Sequence, residues 1–64
     1  MINMVKYGRL ANGSIWGIGE DSYGFWLATG KTALDVIDQI EDGCAQDVYP
    51  DLARAVEAAS ELDA

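Results

Sequence analysis

The chain has no histidine, and among its 64 residues there are one cysteine, one proline, one phenylalanine and four basic residues. Without histidine the commonest general base is missing, and with it any Ser–His or Cys–His pair. Cys44 has no second cysteine to pair with, so there is no disulfide framework, and a lone thiol suits a reducing compartment. No cation lies next to it in sequence to favour a thiolate, so it reads as a small apolar residue at a helix end. No apolar run approaches the roughly 20 residues of a membrane span, and Met1-Ile2-Asn3-Met4-Val5-Lys6 lacks the apolar stretch of a signal peptide. These absences predict a cytoplasmic protein with no membrane partner, no catalytic residue, no cofactor and no metal site.

Half of the residues are hydrophobic, which is enough to form a globule. At this length only roughly 60% of the unfolded surface is buried, so one marginal core and one domain, residues 1–64, are expected.

Residues 1–29 are rich in Val, Ile, Tyr, Trp and Phe and punctuated by Gly, the pattern of strands. Asn12-Gly13 predicts a two-residue type I′ turn, and a second turn is expected at Glu20-Asp21-Ser22. Three strands follow, about Ile2–Ala11, Ser14–Ile18 and Tyr23–Ala28, in an antiparallel meander. With those turns, Leu10 faces Ile15, Gly8 faces Gly17, Ile18 faces Tyr23 and Trp16 faces Phe25. One face then carries Val5, Tyr7, Trp16, Ile18, Tyr23, Phe25 and Leu27, and is expected to be core. The other carries Leu10, Ile15 and Trp26 around Gly8, Gly17 and Gly24, a row that could admit a helix at close range.

A first helix is expected from Lys31 or Thr32 to Asp42, capped by Thr29 or Thr32 and stopped by Gly43, with Cys44 packing back. Ala33, Leu34, Val36, Ile37 and Ile40 form its apolar side; Asp35, Asp38 and Asp42 lie opposite. A second helix should begin near Pro50, with Leu52, Ala55, Val56, Ala59 and Leu62 buried and Arg54, Glu57 and Glu61 in water. The predicted fold is α+β, in the order βββαα, with Trp16, Phe25, Leu34, Ile37, Ile40, Leu52 and Val56 in the core.

Two motifs fail on spacing. Gly30-Lys31-Thr32 resembles the end of a phosphate loop, but Phe25 stands where that loop needs its first glycine. Asp38 to Gly43 suggests a calcium loop, but Ile40 and Tyr49 fall where oxygen ligands are required.

Charge is the informative feature. The net charge is −7. In residues 1–32, Lys6, Arg9 and Lys31 against Glu20 and Asp21 leave +1. In residues 33–64, Arg54 stands against nine carboxylates and leaves −8. Such asymmetry suits a basic protein surface and argues against direct nucleic-acid binding. Carboxylates three and four residues apart on a helix are about 4.5–6 Å apart along its axis, against a phosphate every ~3.4 Å of a nucleic-acid strand. Asp35, Asp38 and Asp42 could therefore stand in for phosphates in a basic groove, with Glu57 and Glu61 extending the surface and Trp26 as an apolar anchor.

In size, charge split and the stripe Asp35, Asp38, Asp42, the chain resembles phage-encoded anti-CRISPR inhibitors, several of which mimic DNA. That resemblance implies a non-catalytic inhibitor, acting as a monomer in the host cytosol on a CRISPR effector complex. Separately, Ala28-Thr29-Gly30-Lys31-Thr32-Ala33-Leu34-Asp35-Val36-Ile37, after three strands, is similar to antitoxins of HicAB-type systems. There a Gly-x-Thr turn leads into a helix with an acidic residue three places on. This implies neutralisation of a small basic toxin, and a final strand after the helix; Asp47 to Leu62 instead reads as a second helix. A weakly active metal-dependent enzyme is the third class to separate.

Overall fold

The computed structural model describes residues 2–43 and 47–63, so the expectation for Cys44 lies outside the described residues. Its elements are β1 (Asn3–Arg9), β2 (Ile15–Asp21), β3 (Gly24–Gly30), α1 (Ala33–Glu41), β4 (Asp47–Tyr49) and α2 (Leu52–Ser60), followed by a 3₁₀ turn, Glu61–Asp63. The class is α+β as expected, but the order is βββαβα. A fourth strand stands where the sequence reads as the approach to a helix. The sheet is antiparallel, in the order β1-β2-β3-β4.

The first hairpin corrects the expected turn. Asn12 keeps a negative φ and only Gly13 is left-handed, at +89°, so the turn is not type I′. The Gly13 amide instead donates to the Leu10 carbonyl and the Leu10 amide to that of Ser14. The connection is one residue longer than a two-residue loop, closed by a glycine of the kind that L side chains rarely replace. Asn12 Oδ1 accepts from the Ser14 amide at 2.9 Å. The pairing therefore slips by one: Arg9 faces Ile15, Gly8 faces Trp16 and Tyr7 faces Gly17. A bulge between Met4 and Lys6 shifts it again. The second turn also moves. Glu20 and Asp21 belong to β2, Ser22 and Tyr23 make the turn, and Asp21 Oδ1 accepts from the Tyr23 amide at 2.8 Å. Ile18 then faces Leu27 and Trp16 faces Thr29.

These registers decide what each face buries, because alternate residues point to opposite sides. Gly17 and Gly19 share a face with Trp26 and Ala28, their partners on β3. A methyl group on Gly17 would sit 2.7 Å from Cγ1 of Val36, and one on Gly19 would press on Ile2, Met4 and Ile40. The two glycines are a track on which α1 rides, its Val36 and Ile40 packed with Ala28 and flanked by Ile2, Met4, Ile15 and Trp26. Ile18 points the other way and is fully buried too. The helix on that side is α2, which packs on β2, β3 and β4 with Ala55 and Ala59 buried. The sheet thus has a helix on each side. Neither expected face survives whole, because the slipped register puts Tyr7 on the Gly17 face and Gly8 on the Trp16 face.

The core list needs two corrections. Leu34 is 65% exposed and Leu52 is 38% exposed, while Val36, not among the expected core residues, is fully buried. Measured around α1 at 100° per residue, Leu34 lies about 160° from Val36, beyond the arc a flat sheet can cover. Val5, Tyr7, Tyr23 and Leu62 are exposed as well. Tyr23 is at a turn, Val5 at the bulge, and Leu62 past the end of α2.

Both helices start on side-chain caps. Thr32 Oγ1 accepts from the Asp35 amide at 3.2 Å, and Asp51 Oδ1 from the Arg54 amide at 2.8 Å. Asp51, rather than Pro50, opens α2. At the end of α1, the Asp42 amide donates to Asp38 and the Gly43 amide to Ile40, with Gly43 at φ +75°, the expected stop.

Candidate protein-interaction surface

With Val36 and Ile40 against the sheet, the outer side of α1 presents Leu34, Asp35, Asp38, Glu41 and Asp42, all exposed. Leu34 and Asp38 are one helical turn apart, as are Asp38 and Asp42, so the leucine sits among the carboxylates. Gln39 anchors the opposite flank, its side-chain amide donating to the Thr29 carbonyl. No cation shares this face: the last turn of α1 holds no basic residue, and Asp35, Asp38, Glu41 and Asp42 have no ion-pair partner among the described residues.

The arrangement works against helix stability at one end. Asp35 sits in the first turn, where the helix dipole favours a carboxylate. Glu41 and Asp42 sit at the negative end, where each costs roughly 0.3–1 kcal/mol. Asp38 and Asp42, at i and i+4, repel by a few tenths of a kcal/mol more. A lysine at position 42 would relieve both effects.

The structure brings Asp35, Asp38 and Asp42 together as the sequence predicts. It does not bring Glu57 and Glu61 to them. Glu57 is exposed on α2 and Glu61 in the 3₁₀ turn that follows it, across the sheet from α1. Trp26 is not part of the face either. It is half-buried against the Val36–Ile40 cluster, its indole N–H enclosed and without an acceptor among the described residues. Leu34 and Glu41 belong to the face and were missed. The signal for Leu34 was its angle from Val36, which a narrower apolar arc would have exposed.

On the α2 side, Tyr49, Pro50, Arg54, Glu57, Ala58 and Glu61 line a cleft of about 600 Å³. Burial raises the Tyr49 phenol above its ordinary value, and the carboxylates of Asp47 and Glu61 raise it further. Among the described residues no three metal-ligating side chains converge, and no helix is long and apolar enough to cross a membrane. No family model, curated protein or solved structure matches the chain.

Proposed function

We propose that this chain is a non-catalytic inhibitor whose outer α1 face occupies a basic nucleic-acid-binding groove on a partner protein, as in the phage anti-CRISPR proteins it resembles. The observation that supports this reading is the composition of that face: four exposed carboxylates, no cation, and an exposed leucine among them. A face serving only solubility gains from mixed charges and has no use for two acids at the negative end of the dipole. In the proposed complex, Asp35, Asp38, Glu41 and Asp42 meet lysines and arginines that otherwise hold phosphates. Leu34 supplies the apolar anchor assigned to Trp26 from sequence alone. The partner is a subunit of a CRISPR effector complex, and the inhibitor acts as a monomer in the host cytosol. The experiment is competition between this protein and target DNA for purified effector complexes at several salt concentrations. Inhibition that weakens steeply with salt and is relieved by excess DNA supports the reading; inhibition indifferent to both rejects it.

A second reading, an antitoxin of HicAB type, draws on β4, a strand that follows α1 as that resemblance requires. Co-expression with a small basic toxin separates the two, since only an antitoxin restores growth there.

A further inference from the structure

The sheet has two edges. β4 offers only three residues, whereas β1 runs for seven. α1 packs on β2 and β3, and α2 on β2, β3 and β4, which leaves β1 at an open rim with Val5 37% and Tyr7 42% exposed. The first turn fixes which backbone groups of β1 point outward. The Leu10 amide donates to the Ser14 carbonyl, and bonded and non-bonded pairs alternate along an antiparallel ladder. Gly8 and Lys6 therefore bond inward to Trp16 and Ile18, while Tyr7 and Arg9, opposite Gly17 and Ile15, turn their N–H and C=O groups out of the sheet. Among the described residues no strand lies beyond them. Bulges and lysines commonly blunt such an edge. Here both fall at one end, in the bulge between Met4 and Lys6 and at Lys6 itself. Regular backbone remains from Lys6 to Leu10, with Gly8 at its midpoint.

That stretch is complementary to itself. Laid antiparallel on a second copy about Gly8, it sets Tyr7 of each chain opposite Arg9 of the other, so the outward groups meet in backbone hydrogen bonds. Directly opposed side chains share a face, so each guanidinium lies beside a tyrosine ring, a cation–π pair made twice. Lys6 falls opposite Leu10, and no like charges face each other. Centring on Lys6 would oppose the two lysines, and centring on Tyr7 would draw in the bulge. Trp16 is half-buried and its indole lies across Gly8, where an added methyl would overlap the ring, so each tryptophan reaches the axis. β1 holds Lys6 and Arg9, two of the four cations, and no carboxylate, so contact here keeps the acidic helices of the two copies apart.

We infer that β1 is a self-association edge, on which a second copy of this chain adds antiparallel about Gly8 to join two four-stranded sheets into one. The contact is small, so the dimer forms as concentration rises and the dilute chain is the monomer. The outer face of α1 is free in both.

The test is sedimentation velocity of the natural chain from about 10 μM to about 1 mM, paired with amide NMR shifts over the same range. The sedimentation coefficient should rise with concentration, with the largest shifts at Tyr7 and Arg9. Because each copy carries −7, added salt should strengthen the association by screening, the reverse of binding through the acidic α1 face. Arg9→Ala removes both cation–π pairs and should weaken dimerisation about tenfold. Arg9→Pro deletes an outward N–H that β2 does not use and should weaken it further. Tyr7→Phe keeps the ring and should dimerise like the parent. If Arg9→Pro does not fold, Arg9→Ala and the shifts decide. Four results overturn the inference: a monomer at every concentration, shifts centred on α1 or α2, an Arg9→Ala variant that dimerises like the parent, or association that salt weakens.

Discussion

Replacing Gly17 by alanine would place a methyl group 2.7 Å from Cγ1 of Val36 and 3.1 Å from Met4 Cε and Tyr7 Cδ1. Carbon atoms pack best at about 3.5–4.0 Å, so roughly 1 Å must be found. The methionine and tyrosine can swing aside. Val36 cannot, because it is fully buried and a β-branched side chain in a helix holds one rotamer. The helix must therefore lift, which loosens Val36 and Ile40 together. Such overpacking costs typically 1–3 kcal/mol, and removing a glycine from a strand returns roughly 0.5–1 kcal/mol. The net expectation is a loss of about 1–2 kcal/mol, or a fall in Tm of roughly 5–15 °C for a domain this small. Urea and thermal unfolding followed by tryptophan fluorescence would measure it. Val36→Ala alone should cost about 2–3 kcal/mol for two lost methyl groups and the cavity they leave. The double variant is the sharper measurement, since the new methyl fills the space the valine vacates. It should be at least about 1 kcal/mol more stable than the sum of the two losses predicts. A neutral Gly17→Ala, or strictly additive effects, would refute the packing of α1 on the glycine track.

Other outcomes follow from the same geometry. Leu34→Ala should change unfolding by no more than about 0.5 kcal/mol, because the leucine is exposed, whereas it should weaken partner binding severalfold. Thr32→Ala and Asp51→Ala should each cost about 1 kcal/mol by removing a helix cap, seen as a lower urea midpoint at unchanged slope. The raised Tyr49 phenol makes a signed prediction. Its contribution to stability is fully present below the unfolded value of 10.0 and is lost as pH rises through the higher folded value. Tyr49→Phe should therefore lose less stability than the parent between neutral pH and pH above 10, measured by paired melting curves.

The class of fold, the meander, both helices and their polar sides were legible in the sequence, because periodicity and glycine punctuation are local signals. The register was not. Asn12-Gly13 is equally compatible with a two-residue turn and with a longer loop closed by glycine, and one residue of difference exchanges the faces. β4 was hidden for a related reason. Three residues, Asp47–Tyr49, are too few to show alternation, and the strand exists only because Phe25, Trp26 and Leu27 offer it an edge. On α1, the carboxylates were readable from composition and spacing. Their isolation from Glu57 and Glu61 was not, since only the tertiary arrangement puts the two helices on opposite sides of the sheet. Leu34 was misassigned because it lies about 60° from Ile37, so a wide apolar arc takes it in although it is about 160° from Val36.

The central claim is that the outer face of α1 is kept acidic for recognition and at some cost to the fold. The direct test is the double variant Asp38→Lys with Asp42→Lys. Asp38 lies in the second half of α1 and Asp42 caps its end, so the variant spares the first-turn Asp35, where a lysine would oppose the dipole. Two lysines at i and i+4 repel as the two aspartates do, so the gain comes from placing cations near the negative end of the dipole and should stabilise the protein by about 0.3–1 kcal/mol. Binding should move the opposite way, with loss of inhibition of the effector complex, because each carboxylate removed leaves a basic group on the partner unpaired and each lysine adds repulsion. A variant that melts higher and no longer inhibits is the predicted result. A variant that melts higher and inhibits like the parent would contradict the account, and would mark the acidic face of α1 as solvated surface and nothing more.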